Sequence, residues 1–183
     1  GVFGGCSNLK TVKFEEGSTV VCAALFMGCD GIEKIELPNT ITEIGDSAFR
    51  NCKNLVKITM NNGIDILEDF VFKGCSSLTT IDIPNTVKAI GCSNFQGCTS
   101  LTEVHLPNSL KEIPSNTFEG CKKLTTINFP STLTMIGNSA FSGCESLPEA
   151  ILPSGVEKIE SNAFKNCKAM KKAVVPDTVS SIG

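Results

Sequence analysis

The chain has no tryptophan, no tyrosine and a single histidine, His105, in 183 residues. A lone imidazole leaves little material for general acid–base chemistry or a nitrogen-ligated metal centre. Ten cysteines are present, but no two form a C-x-x-C pair, and zinc sites need Cys or His at such short spacing. No apolar run approaches the roughly 20 residues that carry a helix across a bilayer. No N-x-S/T sequon occurs despite abundant Asn, Ser and Thr, so nothing marks the chain for N-glycosylation. Neither charge dominates: 16 Lys+Arg against 19 Asp+Glu leave a formal charge of −3. Such a chain lacks the strong positive field that nucleic acid requires. No phosphate-binding glycine loop or paired-carboxylate site is visible, and no cofactor is expected.

What is present is a folded composition, 41% hydrophobic and 19% charged, too apolar and too balanced for disorder. The N-terminal Gly1-Val2-Phe3-Gly4-Gly5 has no basic region, apolar stretch or initiating Met, and it opens partway through a repeat. The chain is therefore read as a mature form or an excised piece.

The repeat dominates everything else. Phe3, Phe26, Phe49, Phe72, Phe95, Phe118, Phe141 and Phe164 are each 23 residues apart, and a cysteine follows each by three, from Cys6 to Cys167. A fixed period of this size means one small unit stacked many times, each copy burying its apolar edge against its neighbours. In the unit from Phe72 to Asn94, Leu78, Ile81 and Ile83 form L-x-x-I-x-I, whose alternation predicts a short half-buried strand. Pro84-Asn85-Thr86 then turns the chain, and proline recurs there at Pro38, Pro107, Pro130, Pro153 and Pro176, ending the strand for want of an N–H. A second apolar run follows, as in Ile41-x-x-Ile44 or Leu133-x-x-Ile136, and predicts another strand or extended segment. Gly45, Gly91, Gly137 and Gly183 close it, where the backbone is expected to be left-handed or crowded. Asp46-Ser47-Ala48, Asn138-Ser139-Ala140 and Ser161-Asn162-Ala163 precede the Phe and could cap a single helical turn.

These columns resemble the BspA-like (Treponema pallidum-type) leucine-rich repeat family, with its 23-residue units. The motif A-F-x-x-C-x-x-L-x-x-I is carried by Ala48-Phe49-x-x-Cys52-x-x-Leu55-x-x-Ile58, and its first part recurs as Ala140-Phe141-x-x-Cys144-x-x-Leu147. The resemblance covers the whole chain. It implies a repeat solenoid: a right-handed curved stack, rich in β-structure with short helical turns and a parallel sheet on the concave side. The units run 3–25, 26–48, 49–71, 72–94, 95–117, 118–140, 141–163 and 164–183, in one domain. Ordinary leucine-rich repeats carry Asn where this chain has Thr40, Thr86, Ser109, Thr132 and Thr178, so a hydroxyl ladder is expected there. The family also implies a protein-binding scaffold without enzymatic activity, adhesive toward host proteins at a microbial surface. An intracellular adaptor, such as a phosphatase-binding subunit, is the alternative; a signal peptide or anchor in the full-length gene would separate the two.

The in-register cysteines are expected as small buried thiols. Cys22 and Cys92 lie off the column, about three repeats or roughly 14 Å apart, too far for a disulfide. With Ile and Leu pointing inward, two columns point out from the first strand. Thr11, Lys34, Lys57, Thr80, Glu103, Thr126, Glu149 and Lys172 form one; Lys13, Glu36, Thr59, Asp82, His105, Asn128, Ile151 and Val174 form the other. The resemblance places a protein partner on this face, so the candidate contact residues are Lys34, Glu36, Lys57, Asp82, Glu103, His105, Asn128, Glu149, Ile151, Lys172 and Val174. His105 has Asp82 as a stacking neighbour and no serine or cysteine nucleophile in its column, so it is expected as a surface residue. Lys165, Lys168, Lys171 and Lys172 form either a solvated face or a weak anion-binding or nuclear-import patch. Repeat three departs from the pattern, with Asn61-Asn62-Gly63 for the proline turn and an extra Phe70. The last unit keeps Val175, Val179 and Ile182 as an apolar edge without a cap. The chain is therefore expected to be part of a longer array or to self-associate through that end.

Overall fold

The computed structural model describes residues 1–15 and 17–183. It is a solenoid of parallel strands in which every turn of chain repeats the last 23 residues later. Among the described residues, seven first-run strands (Lys34–Glu36, Lys57–Thr59, Thr80–Asp82, Glu103–His105, Thr126–Ile127, Glu149–Ile151 and Lys172–Val174) alternate along the chain with eight second-run strands. The latter are Val20–Val21, Glu43–Ile44, Ile66–Leu67, Ala89–Ile90, Glu112–Ile113, Met135–Ile136, Lys158–Ile159 and Ser181–Ile182. Register keeps columns intact: Lys34, Ile35 and Glu36 lie beside Lys57, Ile58 and Thr59, and Thr80, Ile81 and Asp82 beside Glu103, Val104 and His105. Among the described residues the first unit has only a second-run strand, so Thr11 and Lys13 lie outside the first-run sheet.

Two prolines account for breaks in these sheets. Gly91 donates its N–H to Leu67 O and Gly137 to Ile113 O, both at 2.8 Å. The equivalent residue between them is Pro114, which has no N–H to give, and the second-run sheet divides between Ala89–Ile90 and Glu112–Ile113. Pro148 does the same to the first run. Thr125 donates to Thr102 O at 3.0 Å, but Pro148 cannot donate onward to Thr125, and Thr126–Ile127 and Glu149–Ile151 fall in separate sheets.

The segment bearing each Phe is a run of turns, with no helix among the described residues. Alternate N–H groups point in different directions. Ala24, Phe26 and Gly28 donate to Asp46, Ala48 and Arg50 of the next turn, while Leu25, Met27 and Cys29 donate back three residues within their own. An α-helix would need all of these for itself. The alternation is made possible by two left-handed columns. One lies two residues before the Phe and includes Ser47, Ser93 and Ser139, with φ of 56°, 55° and 52°. The other lies two residues after it, at Gly28, Asn51, Gly74, Gly97, Gly120, Gly143 and Asn166, with φ between 59° and 75°. The expected caps are therefore turn residues; glycine and asparagine accept this conformation most readily. Gly45, Gly91 and Gly137 answer the other expectation, crowding: a Cβ there would come within 2.8, 2.6 and 2.6 Å of backbone nitrogens in the preceding turn.

The core is one continuous cluster. Phe26 through Phe164 stack on their neighbours with centroids 5.1–5.8 Å apart and rings within 19° of parallel. The hydroxyl ladder is present in part. Thr86 donates to Ile64 O at 2.6 Å, Thr132 to Leu110 O at 2.8 Å and Thr178 to Val156 O at 2.7 Å. In repeat three, where Gly63 has no hydroxyl, the buried Asn61 reaches the same kind of acceptor, donating from Nδ2 to Ile41 O at 3.2 Å.

Candidate functional site

Strand alternation puts Ile35, Ile58, Ile81, Val104 and Ala150 inside and their neighbours outside. Lys34, Glu36, Lys57, Asp82, His105, Asn128, Glu149, Ile151, Lys172 and Val174 are exposed on this face, and Glu103 is half-buried. Seven strands at about 4.8 Å per spacing give a surface roughly 30 Å long, matching the side of a standard protein interface patch of about 800 Å². Its character changes along the stack. Lys34 and Lys57 stand together at one end, the acids Asp82 and Glu103 occupy the middle, and Ile151 (47% exposed) and Val174 (40%) lie side by side at the other end.

His105 sits in the acidic middle, its Nδ1 2.5 Å from Asp82 Oδ1 and its Nε2 3.3 Å from Glu103 Oε1. The hydrogen bond with Asp82, then the charges of both carboxylates, hold its pKa above the ordinary histidine value. Both ring nitrogens are thus occupied by acids on an open surface, an arrangement suited to a charge patch. Asn128, the next residue along, donates from Nδ2 to Leu106 O (3.1 Å) and accepts from Leu106 N (2.7 Å), so it also holds its strand to its neighbour. At the C-terminal end Lys168 pairs with Glu145 at 2.9 Å and lowers that carboxyl's pKa.

The cysteines have a structural task that composition did not reveal. Cys52, Cys75, Cys98, Cys121 and Cys144 are buried, and each Sγ donates to the carbonyl of the core Phe 26 residues earlier at 3.1–3.2 Å. Burial pushes the Cys52 thiol up to about 12 and those of Cys75, Cys98, Cys121 and Cys144 well above the ordinary range. All ten cysteines are free thiols. The nucleophilic thiolate is disfavoured in the ladder. Among the described residues, no group of three His, Cys, Asp or Glu is placed to hold a metal ion, and no helix is long and apolar enough to cross a membrane.

The family model for the BspA type leucine rich repeat region matches this chain in 6 copies, over residues 1–81 and 65–183. Comparison with curated protein sequences finds no significant match. Among solved structures, a leucine-rich repeat protein from Eubacterium ventriosum is 28% identical, with a TM-score of 0.78 over 87% of this chain and 43% of that one. A leucine rich cell surface protein from Faecalibacterium prausnitzii is 27% identical, with a TM-score of 0.64 over 94% of this chain and 61% of that one. The leucine-rich repeat protein of T. pallidum is 27% identical, with a TM-score of 0.57 over 73% and 74% of the two chains. This chain thus spans 43% and 61% of the first two relatives.

Proposed function

The chain belongs to the BspA-type leucine-rich repeat family, and from that premise we propose that it is a non-enzymatic protein-binding scaffold that uses its first-run strand face for adhesion to host proteins. The single observation that carries this reading is the composition of that face. Its outward columns change residue type and charge from turn to turn, while the inward column stays apolar. An acidic middle beside a small apolar end gives an interface its two usual parts, an apolar anchor and charged surroundings that orient the partner. The relative described as a cell surface protein supports the adhesive setting. The same C-terminal end exposes Val175 and Ile182, and self-association there is a further part of the proposal.

The test is binding to a panel of immobilised host-cell surface and matrix proteins. Asp82→Lys with Glu103→Lys should alter both association rate and salt dependence, and Ile151→Asp with Val174→Asp should weaken binding at least about tenfold, the usual range for an anchor residue. Glu112→Lys, on the second-run face, should leave it unchanged. Equal effects from all three would contradict this placement, and binding to none of the panel would contradict adhesion.

A further inference from the structure

Phe70 occupies a position that the fold reserves for small residues. The column two residues before each core Phe holds Ala24, Ser47, Phe70, Ser93, Asn116, Ser139 and Asn162, all with φ between 52° and 59°. An aromatic side chain is poorly suited to left-handed backbone, and folding alone favours Ser or Asn here. The ring is also not needed to fill the interior, because Val71 and Phe72 of the same turn are fully buried while Phe70 is only half-buried. Phe70 thus opposes the local conformational preference without serving as a core residue.

Its neighbours are unusual as well. Arg50 Cζ lies 5.8 Å and Lys73 Nζ 5.3 Å from the ring centroid. Among the described residues neither cation has an ion-pair partner, and Arg50 Nε is buried without any hydrogen-bond partner. The adjacent Asp69 is already engaged, accepting from Cys92 N at 2.6 Å. One turn on from Lys73, Gln96 donates to Glu119 at 2.6 Å but leaves its buried Oε1 unpartnered. Two cations without ion-pair partners therefore flank a half-buried ring on the turn side of the solenoid, with an unused acceptor one turn away.

We propose that Arg50, Phe70 and Lys73 form a second docking surface, which takes an acidic protein segment whose carboxylates alternate with aromatic side chains. The carboxylates would meet the two cations in charge-assisted hydrogen bonds, and the aromatic groups would cover the Phe70 ring. Charge complementarity selects this occupant. A nucleic acid offers the same combination of anion and ring, but its backbone is held along an extended positively charged groove, and the site presents two cations around one ring. The surface is independent of the first-run strand face, and its variants touch none of that face's residues.

The probe is the peptide acetyl-Asp-Phe-Asp-Phe-amide, titrated into isotope-labelled protein and followed by backbone amide shifts. Saturable shifts should concentrate at residues 50–51 and 70–74. They should weaken about tenfold or more in Phe70→Ser and in the double variant Arg50→Gln, Lys73→Gln, and should weaken with added salt. Phe70→Ser restores the residue found at 47, 93 and 139, so its melting temperature should not fall. The proposal is overturned by no saturable shift at millimolar peptide, by equal binding of acetyl-Lys-Phe-Lys-Phe-amide, or by binding of oligothymidylate in place of the acidic peptide. A marked loss of thermal stability in Phe70→Ser would overturn it too, by making Phe70 a packing residue. Unchanged peptide affinity in the Arg50/Lys73 double variant would do the same.

Discussion

Phe95→Ala should lower the stability of the chain by roughly 3–5 kcal/mol, the range for truncating a buried phenylalanine. Phe95 is fully buried, with ring centroids 5.5 Å from Phe72 and 5.4 Å from Phe118. Truncation opens a void bounded on both sides by turns whose backbones are pinned by cross-turn hydrogen bonds, so the site cannot readily collapse. At 2–4 °C per kcal/mol for a chain of this size, the melting temperature should fall by roughly 6–20 °C. Phe3→Ala is the internal comparison. Phe3 is 45% exposed and stacks on Phe26 alone, at 5.8 Å, and its loss should cost less than half as much. Equal shifts for the two variants would mean that stacking does not set the stability of the core.

Alkaline pH should unfold the protein steeply. The thiols of Cys52, Cys75, Cys98, Cys121 and Cys144 all have raised pKa values because burial penalises the thiolate. The native state therefore holds these protons more tightly than the unfolded state, in which thiols ionise near 8.5. Below that pH the contribution to stability is complete; above it stability falls until each folded pKa is passed, about 12 for Cys52. Each thiol costs about 1.4 kcal/mol per pH unit in this window, and five cost about 7. Against a typical stability of 5–15 kcal/mol, unfolding is expected within about one to two units above the unfolded thiol pKa. Circular dichroism against pH, under reducing conditions, measures it. The triple variant Cys75→Ala, Cys98→Ala, Cys121→Ala should flatten the slope to that of the remaining raised thiols, Cys29, Cys52, Cys144 and Cys167. Stability unchanged to about pH 10.5 would contradict buried, protonated thiols.

Features that recur at one spacing were legible in the sequence, because each reflects a position that every turn must fill in the same way. The Phe and Cys columns, the L-x-x-I-x-I strands and the proline turn belong here, and so does the outward direction of Asp82, His105 and Ile151. The backbone conformation between those columns was harder to read. Gly28, Gly74, Gly97, Gly120 and Gly143, with Asn51 and Asn166 in the same column, carry a left-handed signature that was available but lay outside the apolar pattern. Pro114 and Pro148 similarly become informative only when set against the N–H groups that Gly91, Gly137 and Thr125 use. The thiol-to-carbonyl ladder could not be read in advance, since each acceptor belongs to another turn's backbone. Phe70 was visible as an extra aromatic, but its significance depends on φ and on two cations that only folding brings beside it. The partner of the strand face is the least legible part, because its columns are those that the repeat leaves unconstrained.

The stacked arrangement itself is tested most directly by alkylating the native, reduced protein briefly, then denaturing it, labelling with a second reagent and assigning both labels by mass spectrometry. Each turn from the second to the seventh reports through its own buried cysteine. The first label should appear on the exposed Cys6 and Cys22, more slowly on Cys92 and Cys167, and not on Cys29, Cys52, Cys75, Cys98, Cys121 or Cys144. Those six should take only the second label, with all ten cysteines accounted for as thiols. Rapid first labelling of Cys75, Cys98 or Cys121, or disulfides joining members of the column, would contradict the solenoid.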